Sequence, residues 1–170
     1  MLLIVLVAIT VLISSSVGIA YPSYKNINVP NITQQDSLLC WAASSVSSLQ
    51  YNGWTTSQTD FVAAVKGSYS NSTASANQVI NGLSHFGATS SYAGYGFQYS
   101  TIQYQMSTVL KPAIIGLHNG SYAHMVVLTG YDNSGSSSYV IIMDPAYGCQ
   151  MYATYDSLYA NWIETIYNIH

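Results

Sequence analysis

The sequence predicts an α+β protein, with helices in the first half and an antiparallel sheet in the second. Three observations carry this. Between Cys40 and Leu110, apolar residues recur at helical spacing, and the stretches are bracketed by capping residues and glycines. From Ala113 onward, short runs rich in Val, Ile and Tyr are separated by Gly, Asn and Ser turns. The two kinds of segment are gathered into blocks rather than interleaved, which argues against a parallel α/β sheet.

The chain opens with an apolar run from Met1 to Ile13, a break at Ser14-Ser15-Ser16, and the small residues Gly18 and Ala20. The run is short for a membrane span, and the pattern is that of a secretory signal peptide over residues 1–20. No Lys or Arg precedes the run, so an uncleaved N-terminal anchor is the alternative. Either arrangement puts residues 21–170 outside the cytoplasm. That remainder is one domain's worth of chain, long enough to bury a core without staples.

Tyr21 to Val29 is a polar lead-in, and Pro30 to Thr33 an extended entry to the first helix. That helix is predicted from Leu38 or Cys40 to Tyr51, with Asp36 or Ser37 as its cap and Asn52-Gly53 as its stop. Between Trp41, Val46 and Leu49 it carries mostly Ala and Ser, as expected of a helix packed closely inside a core. A second helix is predicted over Ser57–Lys66 with Gly67 as the stop, and a third over Ala76–Phe86 with Ser75 at the cap. Gly94 to Tyr99 is an aromatic connection. A fourth short helix, Ser100–Leu110, ends ahead of Pro112. Strands are predicted over Ala113–Leu117, His124–Tyr131, Tyr139–Met143, Met151–Tyr155 and Trp162–Asn168, with Asp132-Asn133-Ser134-Gly135 forming a hairpin turn.

Charge is scarce. Lys25, Lys66 and Lys111 stand against six acidic residues, and there is no Arg. Such a surface cannot grip a phosphate backbone, which excludes nucleic acid as a partner. Sixteen tyrosines, with Ser, Asn, Thr and Gln, supply the solubilising groups instead. No Cys/His cluster has zinc spacing. No Gly-rich phosphate loop follows a strand, and there is no Gly-x-Ser-x-Gly elbow. No cofactor or metal is therefore expected.

Cys40 stands where the first helix begins, among unpaired N–H groups and at the positive end of the helix dipole. That setting lowers a thiol's pKa and makes it a nucleophile. His124 and Asp144 bracket the two strands joined by the hairpin, so an imidazole and a carboxylate meet near one end of the ladder. A nucleophile, a base and an orienting acid are the parts of a covalent catalytic triad. Each residue also has a plainer role open to it. Cys40 can be a structural thiol, or half of a disulfide with Cys149 in an exported chain. His124 can be a core histidine, and Asp144 a turn former before Pro145.

Taken together, Gln34, the gap to Cys40-Trp41-Ala42-Ala43, the run His124 to Tyr131 and Asp144-Pro145-Ala146-Tyr147-Gly148 resemble the papain-like cysteine peptidases. The similarity is to their compact bacterial C39-like and AvrRpt2-like branch, and it covers Val29 to the C-terminus. It implies a two-lobed fold, with an N-terminal helical lobe carrying the nucleophile and a C-terminal antiparallel sheet carrying the base. It also implies a peptide or protein substrate, with Cys40 as nucleophile, His124 as base, Asp144 as orienter and Gln34 as oxyanion-hole side chain. Gln35 is the neighbouring alternative to Gln34. Two departures stand out: the Cys-to-His gap is shorter than in large papain-like enzymes, and Leu39 precedes the cysteine. The rival functions are a non-catalytic secreted binding domain on the same scaffold, and an acyl-transfer enzyme such as a transpeptidase, deamidase or amidase. Cys149 is then expected to be a separate thiol.

Overall fold

A computed structural model describes residues 20–118, 120 and 123–170. The predicted signal segment, residues 1–20, lies outside them except for Ala20. Among the described residues no helix is long and apolar enough to cross a membrane.

Three helices come first: α1 (Cys40–Tyr51), α2 (Gln58–Lys66) and α3 (Ala76–His85). The Gly67 stop of α2 and the Ser75 cap of α3 are the predicted ones, while Ser57, expected as the first residue of α2, is its cap instead. Ser57 accepts from the Asp60 N–H, and Gly67 closes α2 in the left-handed conformation. Ser75 and Gln78 form a reciprocal capping box on α3. The burial of α1 follows from its small residues. Every position from Trp41 to Leu49 is buried, and the four serines among them all find acceptors. Ser45 and Ser48 donate one turn back to the carbonyls of Trp41 and Ser44, Ser47 donates to Pro30, and Ser44 donates across to Met125. Satisfied hydroxyls are tolerated in a core, where unpaired ones are costly.

The predicted fourth helix divides. An α-helical part, α4 (Tyr99–Tyr104), runs into a π-helical turn over Gln105–Val109. The Leu110 N–H reaches back five residues to the Gln105 carbonyl at 2.9 Å, and Leu110 turns left-handed at φ 56°. The chain is thereby released from helix just ahead of Pro112, where a helix cannot continue.

Among the described residues the sheet has seven strands: β1 (Tyr24–Asn26), β2 (Ser91–Ala93), β3 (Ala113–His118), β4 (Ala123–Asp132), β5 (Tyr139–Asp144), β6 (Cys149–Thr154) and β7 (Trp162–Tyr167). All pairings are antiparallel, in the order β2-β7-β3-β4-β5-β6, with β1 alongside the far end of β4. A short helix, α5 (Tyr155–Tyr159), begins where a strand was predicted to end. β1, β2 and α5 escaped prediction because three to five residues carry no readable period.

Strand alternation sends successive residues to two cores. Ile114, Met125 and Ile166 join Trp41, Leu49, Phe61 and Leu83 beneath the three helices. Ile115, Val126 and Leu128 join Phe97, Ile102, Met106 and Trp162 on the other side. The mixed helical and antiparallel architecture is the predicted one. Its cleft opens where the start of α1 meets the ends of β4 and β5.

Candidate active site

Cys40 is the first residue of α1, His124 the second of β4 and Asp144 the last of β5. They line one cleft of about 580 Å³, together with Gln34 and Trp41. His124 Nε2 lies 2.8 Å from Asp144 Oδ1, with both side chains largely buried. The other ring nitrogen, Nδ1, is left for the sulfur, and Cys40 and His124 interact as hydrogen-bond partners.

A bulge brings the imidazole and the carboxylate together. β4 and β5 pair as Asp132↔Tyr139 near the hairpin, but the register shifts between Leu128 and Gly130. Beyond the shift Val127 faces Met143. Continuing one residue sets Asp144 opposite Val126, two positions from His124. Residues two apart share a face and meet diagonally across a strand pair. Without the extra residue, Thr129, Asp144 would fall opposite Val127, and its side chain would leave on the wrong face. Thr129 is held in place by its hydroxyl on the Ile141 carbonyl and by the Ile27 N–H on its own carbonyl.

The nucleophile's strand contact is a clasp. The Met125 N–H donates to Cys40 Sγ at 3.5 Å, and the Met125 carbonyl accepts from Ser44 Oγ at 3.0 Å. Cys40 and Ser44 are one helical turn apart, so a single face of α1 holds both polar groups of the peptide next to His124. Sequence reasoning missed this pair, and its only trace was a serine four residues after the cysteine.

The predicted caps of α1 are corrected. Leu39 occupies the N-cap position and makes no side-chain hydrogen bond. The Asp36 carboxylate accepts instead from the Tyr69 hydroxyl, and the Ser37 hydroxyl from Asn71. Both side chains are drawn to the 69–71 loop. The helix therefore presents its first N–H groups, and their partial positive charge, to the cleft.

The electrostatics follow. Burial pushes the Cys40 thiol up, but hydrogen bonds from His124 and from the Met125 and Trp41 N–H groups, with the charge of His124, bring it below its usual value. Burial pulls His124 down, yet its bonds to Asp144 and Cys40 and their negative charges push it up to about 9. Burial raises Asp144, and the His124 contact and the Ala146 N–H more than reverse this. Both shifts act in the same sense, favouring a thiolate beside an imidazolium over the neutral pair.

Gln34 and Gln35 part company. Gln35 turns to α2, its N–H on Gln58 Oε1 and its own Oε1 accepting from Thr59. Gln34 lines the cleft. Its N–H donates to the Pro145 carbonyl at 2.9 Å, and its Nε2 to the Asp36 carbonyl at 2.8 Å. The Asp36 bond fixes the side chain, while Gln34 Oε1 is buried without a hydrogen-bond partner among the described residues. Gly148 secures this loop pairing. It adopts φ 62°, and a Cβ there would collide with Thr33. Cys40 and Cys149 are both free thiols, and Cys149 is exposed on β6 opposite Asp144. His118 ends β3, His85 packs edge-on against Phe86, and His170 meets Thr89. No group of metal-ligating side chains is present among the described residues.

Residues 26–169 match the model of the Peptidase_C39 like family. A search of curated proteins finds no match. Solved structures share the fold. The peptidase domain of Streptococcus ComA, a bifunctional ABC transporter of a quorum-sensing pathway, superposes with a TM-score of 0.66 at 17% identity, over 82% of this chain and 97% of that one. A C39-like peptidase from Bacillus anthracis gives 0.62 at 17%, over 84% and 96%. The digestive procathepsin L2 of Tenebrio molitor gives 0.67 at 11%, over 89% and 69%.

Proposed function

The chain belongs to the C39-like peptidase family and is a cysteine-type peptidase; from that premise we propose that Cys40, His124 and Asp144 are its catalytic triad, that Gln34 is its oxyanion donor, and that it is an exported enzyme acting on peptides or proteins. The observation that carries this is the continuous chain of contacts from sulfur to imidazole to carboxylate inside one cleft.

The Cys40 thiolate attacks the scissile carbonyl carbon, and a C–S bond forms as the carbonyl electrons move to oxygen. The Cys40 N–H and the Gln34 amide receive that oxyanion, each donor contributing about 3 kcal/mol in comparable sites. The His124 imidazolium gives its Nδ1 proton to the leaving nitrogen as the C–N bond breaks. His124 then takes a proton from water, whose oxygen attacks the thioester. The C–S bond breaks and the thiolate returns beside a reprotonated ring. Asp144 keeps the ring oriented and stabilises its charged form throughout. Export is supported by the apolar segment and small-residue break at residues 1–20.

Cys40→Ala is expected to abolish peptide hydrolysis and to remove rapid labelling by iodoacetamide at neutral pH, whereas Cys149→Ser preserves both. Mass spectrometry of the products separates hydrolysis from acyl transfer. Labelling confined to Cys149 in the unaltered protein would overturn the assignment.

A further inference from the structure

The cleft holds one carboxylate that this chemistry does not use. Glu164, on β7, lines it with Cys40 and His124. Strand register shows how it arrives there. Glu164 is paired with Gly116 of β3, and Gly116 with Met125 of β4, whose N–H reaches the Cys40 sulfur. Strands lie about 4.8 Å apart, so this row crosses from Glu164 to Met125 in about 10 Å. Directly paired residues share a face, and the middle of the row has no side chain. A Cβ on Gly116 would lie 2.5 Å from Glu164 Cγ and 2.8 Å from Oε1. Glycine therefore lets the Glu164 side chain lie flat across β3.

The carboxylate is only partly engaged. The Tyr92 hydroxyl donates to Oε2 at 3.2 Å. No lysine among the described residues faces it. Lys66 is held by the Thr73 carbonyl and Gln78, Lys111 by Asn52, and Lys25 lies on β1 opposite Tyr131. Asp144, the other acid of the cleft, is committed to His124. The neighbouring wall is uncharged and largely apolar, including Leu38, Trp41, Ala74 and Ile163. An apolar wall ending in a carboxylate suits a long side chain with a cationic tip: the stem packs and the head pairs.

Resting on the peptidase assignment above, we propose that Glu164 is a specificity-determining residue that receives a Lys or Arg side chain of the substrate close to the scissile bond. N-acetylated fluorogenic peptides, identical except for Lys, Arg, Gln or Glu at each position near the cleaved bond, test it. The expected preference for Lys or Arg over Gln is about tenfold in kcat/KM at one position, the size of a partly screened charge pair. Glu164→Gln should reduce that ratio to about one. The ratio is internal to each protein, so it does not depend on how much of the variant folds. An equal ratio in both proteins, or no preference for Lys or Arg over Gln at any position in the unaltered protein, would overturn the proposal.

A second measurement needs no peptide turnover. In a Cys149→Ser background Cys40 is the one thiol left. Its rates with a cationic trimethylammonioethyl and an anionic sulfonatoethyl methanethiosulfonate are compared. Glu164→Gln should lower the cation-to-anion rate ratio several-fold, and an unchanged ratio would overturn the role of Glu164. Failure to hydrolyse any peptide would count against the triad, while the thiol rates would still decide Glu164.

Discussion

A thiolate and an imidazolium must coexist for Cys40 to attack and His124 to protonate. His124 is pushed up to about 9, and Cys40 lies below its usual value. The expected kcat/KM profile therefore falls above about pH 9 as His124 loses its proton, and falls on the acid side as Cys40 gains one. Asp144→Asn tests the source of the upper limb. An amide can still orient the ring but supplies no negative charge, so the limb should move to lower pH and kcat/KM drop about tenfold or more. A limb that stays in place would remove Asp144 from the pair. Gln34→Ala is a separate matter, because Gln34 does not set the state of the thiol. Its loss should cost on the order of 10²-fold in kcat, while Cys40 still reacts with iodoacetamide.

Secondary-structure elements hold these residues together through few contacts. Helix α1 meets β4 at Met125, clasped by Cys40 and Ser44. Ser44→Ala removes one arm and leaves a buried carbonyl unpaired, a change worth about 1–3 kcal/mol. Urea denaturation should show that loss, and an unchanged midpoint would mean the clasp is not structural. The bulge at Thr129 works at the same scale, since one inserted residue decides which face of the sheet Asp144 shares.

For the molecule as a whole, the two shifted groups link folding to pH in opposite directions. His124 is raised from 6.5, so its contribution to stability is complete below pH 6.5 and disappears as pH rises to about 9. Cys40 is lowered from 9.0, so its contribution is present above pH 9.0 and disappears as pH falls through its folded value. From the folded value of Cys40 up to about pH 9 the two oppose each other, so each offsets part of the other's effect on the Tm of the unaltered protein. Cys40→Ala removes the opposing group, and Asp144 still raises His124, though less far than the two partners do together. The variant's Tm should decline relative to the unaltered protein as pH rises through that window, measured by thermal melts at constant ionic strength.

The sequence by itself determined the class of fold, the order of α2 and α3 with the Gly67 stop and the Ser75 cap, the longer strands, and Cys40 as a candidate nucleophile. These are local matters: periodicity, capping hydroxyls and glycines act over a few residues, and a cysteine beside Trp41 at a helix start is legible at sight. Only the tertiary structure decided the rest. The caps of α1 were lost to a loop more than thirty residues away. The shared face of His124 and Asp144 came from a one-residue bulge, which no propensity announces. Gln34 was separated from Gln35 by which of them α2 could hold. Glu164 entered the cleft because a glycine on a different strand left room for it. Each depends on contacts between segments distant in the chain, where register and packing, not local preference, set the outcome.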